Sequence, residues 1–128
     1  HFAQVWGYIA ALHFGIEHIE TFSGGTVATE CHPNTISALK NIGFDVACSD
    51  ANVENPMYHV FYNSDEYIEC YSKANTDASI PQTDFMAVMT CSDSDENCPL
   101  VPGAKKRFST TCPSSWGSCP SRAGSPAR

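Results

Sequence analysis

The apolar positions of this chain fall into short runs whose spacing changes between a helical and an extended period. Near the beginning, apolar side chains recur at helical spacing and predict an amphipathic helix over residues 2–16, with Gly15 near its end. Its apolar stripe consists of Phe2, Val5, Trp6, Ile9, Leu12 and Ile16. A second helix is predicted over residues 33–43, because Pro33 suits the first helical position and Gly43 suits a helix end. Its buried face would consist of Ile36, Leu39 and Ile42.

Extended segments follow each of these helices. Residues 17–22 predict a short strand that leads into a glycine turn, and residues 44–48 predict a brief edge strand. Two aromatic-rich runs, 57–62 and 67–72, flank a polar turn and predict a β-hairpin. The hairpin contains four tyrosines, Tyr58, Tyr62, Tyr67 and Tyr71. Two roles are open for them: packing across the strands, or lining a substrate-binding site.

The most informative stretch is residues 84–99, DFMAVMTCSDSDENCP. Residues 85–89 form an unbroken apolar run that suits a strand buried on both faces. Cys91 follows this strand, and Cys98 comes after a short acidic segment. Two thiols placed in this way are typical of redox chemistry in an α/β protein. Two unrelated cysteines, one buried and one on a loop, are the alternative.

The segment between the two cysteines predicts a structural change on oxidation. Ser92 followed by Asp95 matches a capping box, so residues 92–98 are predicted to form a short helix. Seven helical residues rise about 10 Å, whereas a disulfide requires Cα atoms roughly 4.4–6.8 Å apart. Bonding Cys91 to Cys98 would therefore unwind that helix. Zinc is not expected, because the spacing does not match a zinc knuckle.

Composition and charge exclude several classes of protein. The chain of 128 residues suits one domain, and its mean hydropathy of -0.23 is typical of a globular protein. No apolar run approaches the ~20 residues that cross a bilayer, so no membrane association is expected. The formal charge of -7, with 14 acidic against 7 basic residues, argues against a nucleic-acid surface.

The seven cysteines favour a reducing compartment. Their number is odd, so they cannot all pair internally, and we expect mostly reduced thiols in the cytoplasm. The chain begins at His1 and not at Met, so the possibility that a targeting segment was removed stays open. Neither a metal nor another cofactor is expected. Cys31 and His32 could be metal ligands, but the sequence has no second group of Cys and His residues at the spacing that a metal site requires. Three cysteines on or next to predicted core elements should react slowly: Cys31, Cys48 and Cys70.

The residues around the cysteine pair resemble a known family. The segment TCSDSDENCPLVPGAKK is similar to the redox loop of thioredoxin-coupled arsenate reductases, which share the fold of low-molecular-weight protein tyrosine phosphatases. Residues 23–26, Ser-Gly-Gly-Thr, resemble the family's Ser-Ala-Gly-Thr segment after its second strand. Residues 34–43 resemble the helix that follows, and residues 1–12 resemble the helix after the phosphate-binding loop. The resemblance extends to about residue 107.

This resemblance implies a fold and a chemistry. The fold is α/β, a small flavodoxin-like parallel sheet with right-handed crossovers, here with a β-hairpin insertion and without its first strand. In the family, a cysteine of the phosphate-binding loop attacks the oxyanion, and Cys91 would then attack that cysteine and release arsenite. Cys98 would attack in turn and leave a Cys91–Cys98 disulfide for a thioredoxin-like reductant. Cys91 and Cys98 are therefore the expected catalytic residues.

Two features depart from the family. The minimal arsenate reductases lack the hairpin, which leaves both arsenate and phosphotyrosine open as substrates. Residues 108–128 contain no Asp or Glu, although the family's general acid is an Asp in this region. Their Pro, Gly and Ser content is typical of disorder. We therefore expect one incomplete domain over residues 1–107 and a disordered tail over residues 108–128.

Three functions are consistent with these observations. The first is an arsenate reductase-like protein, of which this chain alone would be inactive, because the attacking cysteine and the general acid are missing from it. The second is a low-molecular-weight protein tyrosine phosphatase in which the cysteine pair is only protective. The third is a non-catalytic thiol redox or binding module.

Overall fold

The computed structural model describes residues 1–90 and 101–110 of the chain, which divides into two compact units, residues 1–80 and residues 81–128. The first unit contains the helices α1 (Phe2–His13) and α2 (Pro33–Asn41), followed by the strands β1 (Asp45–Cys48), β2 (Tyr58–Phe61) and β3 (Tyr67–Cys70). In the second unit the structure describes the strands β4 (Phe85–Met89) and β5 (Ala104–Ser109). The mixed α/β class is therefore confirmed.

Helix α1 confirms the first predicted helix but ends earlier than its apolar pattern indicates. The last residue is His13, and the Phe14 N–H donates to the Ala10 carbonyl at 3.0 Å. Ile16 lies beyond the helix and is exposed, so its assignment to the buried stripe is wrong. The buried residues of the helix are Gln4, Val5 and Ala11.

Helix α2 has the predicted start and stop signals. Pro33 is its first residue, and the N-cap is His32, whose Nδ1 accepts from the backbone N–H two residues later at 3.1 Å. Gly43 follows the helix with φ 107°, a conformation that residues with a Cβ rarely adopt. Ile42 is exposed and does not belong to the buried face as predicted. The buried residues are Ile36 and Leu39.

The three strands of the first unit form an antiparallel sheet in the order β1-β2-β3. Strands β2 and β3 are the predicted hairpin, with Val60 opposite Ile68. On the other side of β2, Val46 of β1 lies opposite Val60, so β1 is the edge strand that the sequence predicts. Asn63 stabilises the hairpin turn, because its Oδ1 accepts from the backbone N–H groups two and three residues later.

The core of the first unit lies where the two helices meet one face of this sheet. A cluster of buried side chains joins α1, α2, β2 and β3, and it consists of Val5, Leu39, Val60, Ile68 and Cys70. Burying an aliphatic side chain of this size completely is worth about 1.5–3 kcal/mol. The cluster therefore fixes the first turn of α1 against the sheet.

The strand predicted over residues 17–22 is not formed. His18 has φ 58°, which interrupts an extended segment. A single parallel bridge instead pairs Gly25 with Ala74, and two backbone hydrogen bonds of 3.0 and 2.8 Å hold it. Alternation of apolar and polar residues favours a half-buried strand, but a strand also needs a partner along its length.

Strands β4 and β5 form a two-stranded parallel sheet in the second unit. A small parallel sheet is therefore present as predicted, although the other three strands are antiparallel. Strand β4 has the predicted bounds, but its expected burial on both faces is wrong. Met86 and Val88 are 65% and 53% exposed, while Ala87 between them is buried. An apolar run alone does not determine whether other parts of the protein pack on one face of a strand or on both.

Strand β5 was not predicted from the sequence. The basic run from Lys105 to Arg107 occupies its middle and gives no apolar strand signal. The strand continues past the expected boundary after Arg107, with Phe108 opposite Val88. Residues 111–128 lie outside the described residues, so the division into a domain and a disordered tail stays a prediction. Within the described part of the chain, no helix has the length and apolar character to cross a membrane.

Candidate functional site

The predicted redox pair, Cys91 and Cys98, lies outside the described residues. The strand that leads to it is described as far as Thr90. The carbonyl oxygen of Met89 accepts twice from Thr110, from the backbone N–H at 2.9 Å and from Oγ1 at 3.1 Å. Strands β4 and β5 therefore end side by side, and in parallel sheets this carboxyl edge is where loops carry functional residues.

A hydrogen-bonded cluster connects the first turn of α1 with two other segments. The side chain of Gln4 is buried, and its Nε2 donates to the carbonyl oxygens of Thr21 at 3.0 Å and Glu69 at 3.3 Å. Its Oε1 accepts from Ser23 Oγ at 2.6 Å, and Cys70 Sγ lies 4.0 Å away as a further donor. Both ends of a buried amide are thereby satisfied. Sequence reasoning missed Gln4, because a single polar residue on an apolar helix face carries no distinct signal.

The turn at residues 23–26, which resembles the family's Ser-Ala-Gly-Thr segment, lies at the start of α1. The Ser23 hydroxyl is 2.7 Å from His1 Nδ1. A Cβ on Gly24 would meet the Cα atom of Asn75 at 3.0 Å and Cδ1 of Ile80 at 2.9 Å. Real Cβ atoms rarely approach so closely, so this turn requires glycine at position 24. The close approach holds Ser23 within reach of α1.

Three cysteines lie in the described part of the chain, and all are free thiols. Burial raises the pKa of Cys31, and it raises the pKa of Cys70 to about 11. Both thiols are therefore protonated at neutral pH, which makes them poor nucleophiles. Cys48 on β1 is exposed. The expectation of a slow reaction assumed that the cysteine lies in or next to the core, and this assumption does not hold for Cys48. Among the described residues, no group of three or more His, Cys, Asp or Glu side chains could hold a metal ion.

The tyrosines of the hairpin have different surroundings. Tyr67 packs against Phe61 on the opposite strand at 5.3 Å between ring centroids, and it stacks on His59 at 4.1 Å. For Tyr67, cross-strand packing is the role that the structure shows. Tyr62 contacts α1 instead, through Tyr8.

A groove of about 350 Å³ opens in the first unit between α1, the segment at residues 19–22 and the end of β3. Its polar and aromatic lining includes Gln4, Tyr8, Thr21, Tyr71, Lys73 and Ser79. Lys73 is buried, and its Nζ lies 3.9 Å from the centre of the Tyr71 ring. The Tyr71 hydroxyl is hydrogen-bonded to Ser79 Oγ at 2.9 Å. This Lys73 groove was missed from the sequence, because residues 73–84 have the composition of a polar linker.

The chain is similar to two curated bacterial proteins named "Arsenate reductase 2", from Staphylococcus epidermidis strain RP62A and from Staphylococcus haemolyticus strain JCSC1435. Each is 26% identical over 88 residues, which cover 69% of this chain and 50% of the relative. The chain thus spans about half the length of the curated relatives it matches. No family model and no solved structure matches it. The chain therefore shows a distant similarity to staphylococcal proteins that are named arsenate reductases.

Proposed function

We propose that this chain belongs to an arsenate reductase-like protein and carries two thiols of its cysteine relay, Cys91 and Cys98. The observation that carries the proposal is the distant similarity to staphylococcal arsenate reductases, combined with the position of Cys91 two residues after β4. The carboxyl edge of a parallel sheet is a common place for a reactive loop. The relatives are named arsenate reductases, which favours arsenate over phosphotyrosine as the oxyanion.

In the proposed relay, a cysteine thiolate first displaces an oxygen ligand of arsenate and forms an arsenic–sulfur bond. The Cys91 thiolate then attacks that sulfur, and the electron pair of the arsenic–sulfur bond leaves with arsenic, which becomes arsenite. Next, the Cys98 thiolate attacks the Cys91 sulfur and releases the first cysteine as a thiolate. The resulting Cys91–Cys98 disulfide holds the two oxidising equivalents, and a dithiol reductant of the thioredoxin type removes them.

The same proposal extends to the fold and the location of the protein. Strands β4 and β5 would belong to a flavodoxin-like parallel sheet with Cys91 at its carboxyl edge. A relay that depends on free thiols and a thioredoxin-like reductant requires a reducing compartment, so we assign the protein to the cytoplasm.

The chain of 128 residues is expected to be inactive by itself. In the resembled family the attacking cysteine precedes an arginine by six positions, and none of the seven cysteines here has that spacing. The backbone N–H groups of such a loop stabilise the oxyanion. Purified chain should therefore neither reduce arsenate nor hydrolyse p-nitrophenyl phosphate faster than the Cys91→Ser variant, and turnover above that level would contradict this part of the proposal.

Diamide oxidation followed by peptide mapping tests the relay directly. A Cys91–Cys98 disulfide should be the main product, and thioredoxin with its reductase should reduce it with consumption of one NADPH per chain. The Cys98→Ser variant should lose this NADPH consumption, whereas the Cys48→Ser control should retain it. Cys91 bonded mainly to another cysteine, or left unoxidised, would exclude the relay.

A further inference from the structure

The three-stranded sheet of the first unit has a second face, which lies opposite the two helices. Side chains alternate between the two faces of a strand, and residues opposite each other on neighbouring strands share a face. Val60 and Ile68 belong to the core that the helices cover, so the residues next to them in each strand point to the other face. This outer face consists of Asp45, Ala47, His59, Phe61, Tyr67 and Glu69.

Aromatic rings occupy the middle of the outer face. Tyr67 stacks on His59 with 4.1 Å between ring centroids and 20° between ring planes, and it packs against Phe61 at 5.3 Å. Despite these two contacts, Tyr67 is 43% exposed. The cluster therefore presents aromatic surface to the solvent, and such surface attracts cations, because the face of an aromatic ring carries partial negative charge.

Carboxylates lie on both sides of these rings. Asp45 is the cross-strand partner of Phe61, and Glu69 is the cross-strand partner of His59. Both carboxylates are exposed, and neither forms an ion pair within 4.0 Å with another described residue. Strands β1, β2 and β3 contain no lysine or arginine. The charge of the outer face is therefore complementary to a cationic partner.

Rings that are flanked by carboxylates favour arginine over other cationic groups. The guanidinium group is planar, so it can stack on an aromatic ring while its N–H groups donate to a carboxylate. The ammonium group of lysine is compact and strongly hydrated, and it offers no flat surface for stacking. The bases of a nucleic acid could also stack on the rings, but Asp45 and Glu69 would repel its phosphates.

We propose that the outer face of the sheet is a docking surface for an arginine-bearing segment of a partner protein, with one guanidinium stacked on Tyr67 and paired with Glu69. Asp45 on β1 would bind a second arginine, because β1 and β3 are two interstrand spacings apart, about 10 Å. Two arginines separated by one residue in an extended segment can reach across this distance. The cysteine relay uses none of these residues, so the two proposals can fail separately.

A nuclear magnetic resonance titration of the labelled chain with the peptide acetyl-Gly-Arg-Gly-Arg-Gly-amide tests the surface. The peptide should shift the backbone amides of Phe61, Tyr67 and Glu69 in a saturable manner. The same peptide with citrulline, which is uncharged and similar in shape, should bind roughly tenfold more weakly, because it loses the cation–π contacts and the ionic pairing. The lysine peptide should bind about threefold more weakly than the arginine peptide.

Variants of the chain locate the binding. Glu69→Gln should weaken the arginine peptide about threefold, since it removes one exposed charge pair. Glu17→Gln changes an exposed carboxylate outside the sheet and is the matched control, which should leave the affinity unchanged. Tyr67→Thr removes the ring and should weaken binding by a factor of about three to five. If Tyr67→Thr does not fold, Tyr67→Phe, which keeps the ring, must retain the preference for arginine over citrulline.

Several results would overturn the proposal. These are equal binding of the arginine and citrulline peptides, the absence of a saturable shift, and an affinity that Glu17→Gln lowers as much as Glu69→Gln. A lysine peptide that binds as tightly as the arginine peptide would overturn the assignment of arginine. A single-stranded oligonucleotide that binds as tightly at the same amides would overturn the assignment of a protein partner.

Discussion

The phenolic oxygens of Tyr8 and Tyr62 lie 3.4 Å apart, and their rings are 5.2 Å apart between centroids. The pair joins the middle of α1 to the residue that follows β2, so it connects the helix with the hairpin. The hydrogen bond to Tyr8, together with desolvation, raises the pKa of Tyr62 from 10.0 to about 12. This shift makes the contact observable by titration.

Replacing Tyr8 by Phe should lower the pKa of Tyr62 from about 12 towards its ordinary value of 10.0. Because the folded state holds the Tyr62 proton more tightly, the associated stability is complete below about pH 10 and is lost as the pH rises to about 12. Ultraviolet difference titration of the Tyr8→Phe variant and the parent protein measures the shift. Tyr67→Phe, which removes a different tyrosine of the hairpin, is the matched control. A tyrosine transition that persists at about pH 12 in Tyr8→Phe would contradict the coupling.

Gly24 and Gly25 should respond very differently to alanine. A Cβ at Gly24 would meet Asn75 Cα at 3.0 Å, whereas the nearest atom to a Cβ at Gly25 is the Val27 carbonyl oxygen at 3.6 Å. Gly24→Ala should therefore lower the free energy of unfolding by about 1–3 kcal/mol, the usual cost of overpacking. Gly25→Ala should have a much smaller effect. Urea denaturation of both variants measures the difference in the free energy of unfolding. Similar midpoints would show that the segment around Asn75 shifts without a loss of stability.

The described cysteines should be alkylated in the order of their exposure. In a short pulse of iodoacetamide at neutral pH, exposed Cys48 should react at least about tenfold faster than buried Cys70, whose pKa is raised to about 11. The rate at Cys70 should increase as the pH approaches 11. Mass spectrometry of peptides gives the rate at each site, and unfolding in guanidinium chloride provides the control in which the rates converge. Fast native labelling of Cys70 would refute its burial.

Two truncations should separate the end of β5 from the residues that follow it. Removal of residues 111–128 leaves β5 and both hydrogen bonds from Thr110 to Met89 in place. Removal of residues 108–128 deletes the pairing of Phe108 with Val88 as well. The shorter chain should be less stable by about 1–3 kcal/mol, since a net hydrogen bond contributes roughly 0.5–1.5 kcal/mol. Thermal unfolding followed by circular dichroism compares them, and equal stability would show that the end of β5 contributes nothing.

Local signals in the sequence predicted most elements of the first unit. Pro33 and Gly43 determine the ends of α2 through backbone geometry, and these signals act without any tertiary contact. The hairpin was predictable for the same reason, because its polar turn lies between two aromatic runs. The prediction of a strand over residues 17–22 was wrong. Strand pairing depends on a distant partner, which the alternation of apolar and polar residues cannot identify.

The candidate site was less predictable than the fold. Gln4 acquires its role from residues far away in the sequence, Thr21 and Glu69, and it does not belong to a motif. Strand β5 was missed because a basic run gives no apolar signal. Its pairing with β4 provides hydrogen-bond partners for its backbone N–H and C=O groups, which the sequence pattern does not reveal. The prediction for Cys91 and Cys98 rests on sequence resemblance and stays a prediction.

The hydrogen bonds around Gln4 can run in only one direction. The carbonyl oxygens of Thr21 and Glu69 are acceptors, so they orient the amide with Nε2 towards them and leave Oε1 as the acceptor for Ser23. Ser23 has a single hydroxyl proton and gives it to that oxygen, so His1 Nδ1 must be the donor in its contact with Ser23. When the His1 ring is neutral, it is therefore fixed as the Nδ1–H tautomer, and Nε2 carries the lone pair that can take up a proton at the start of α1.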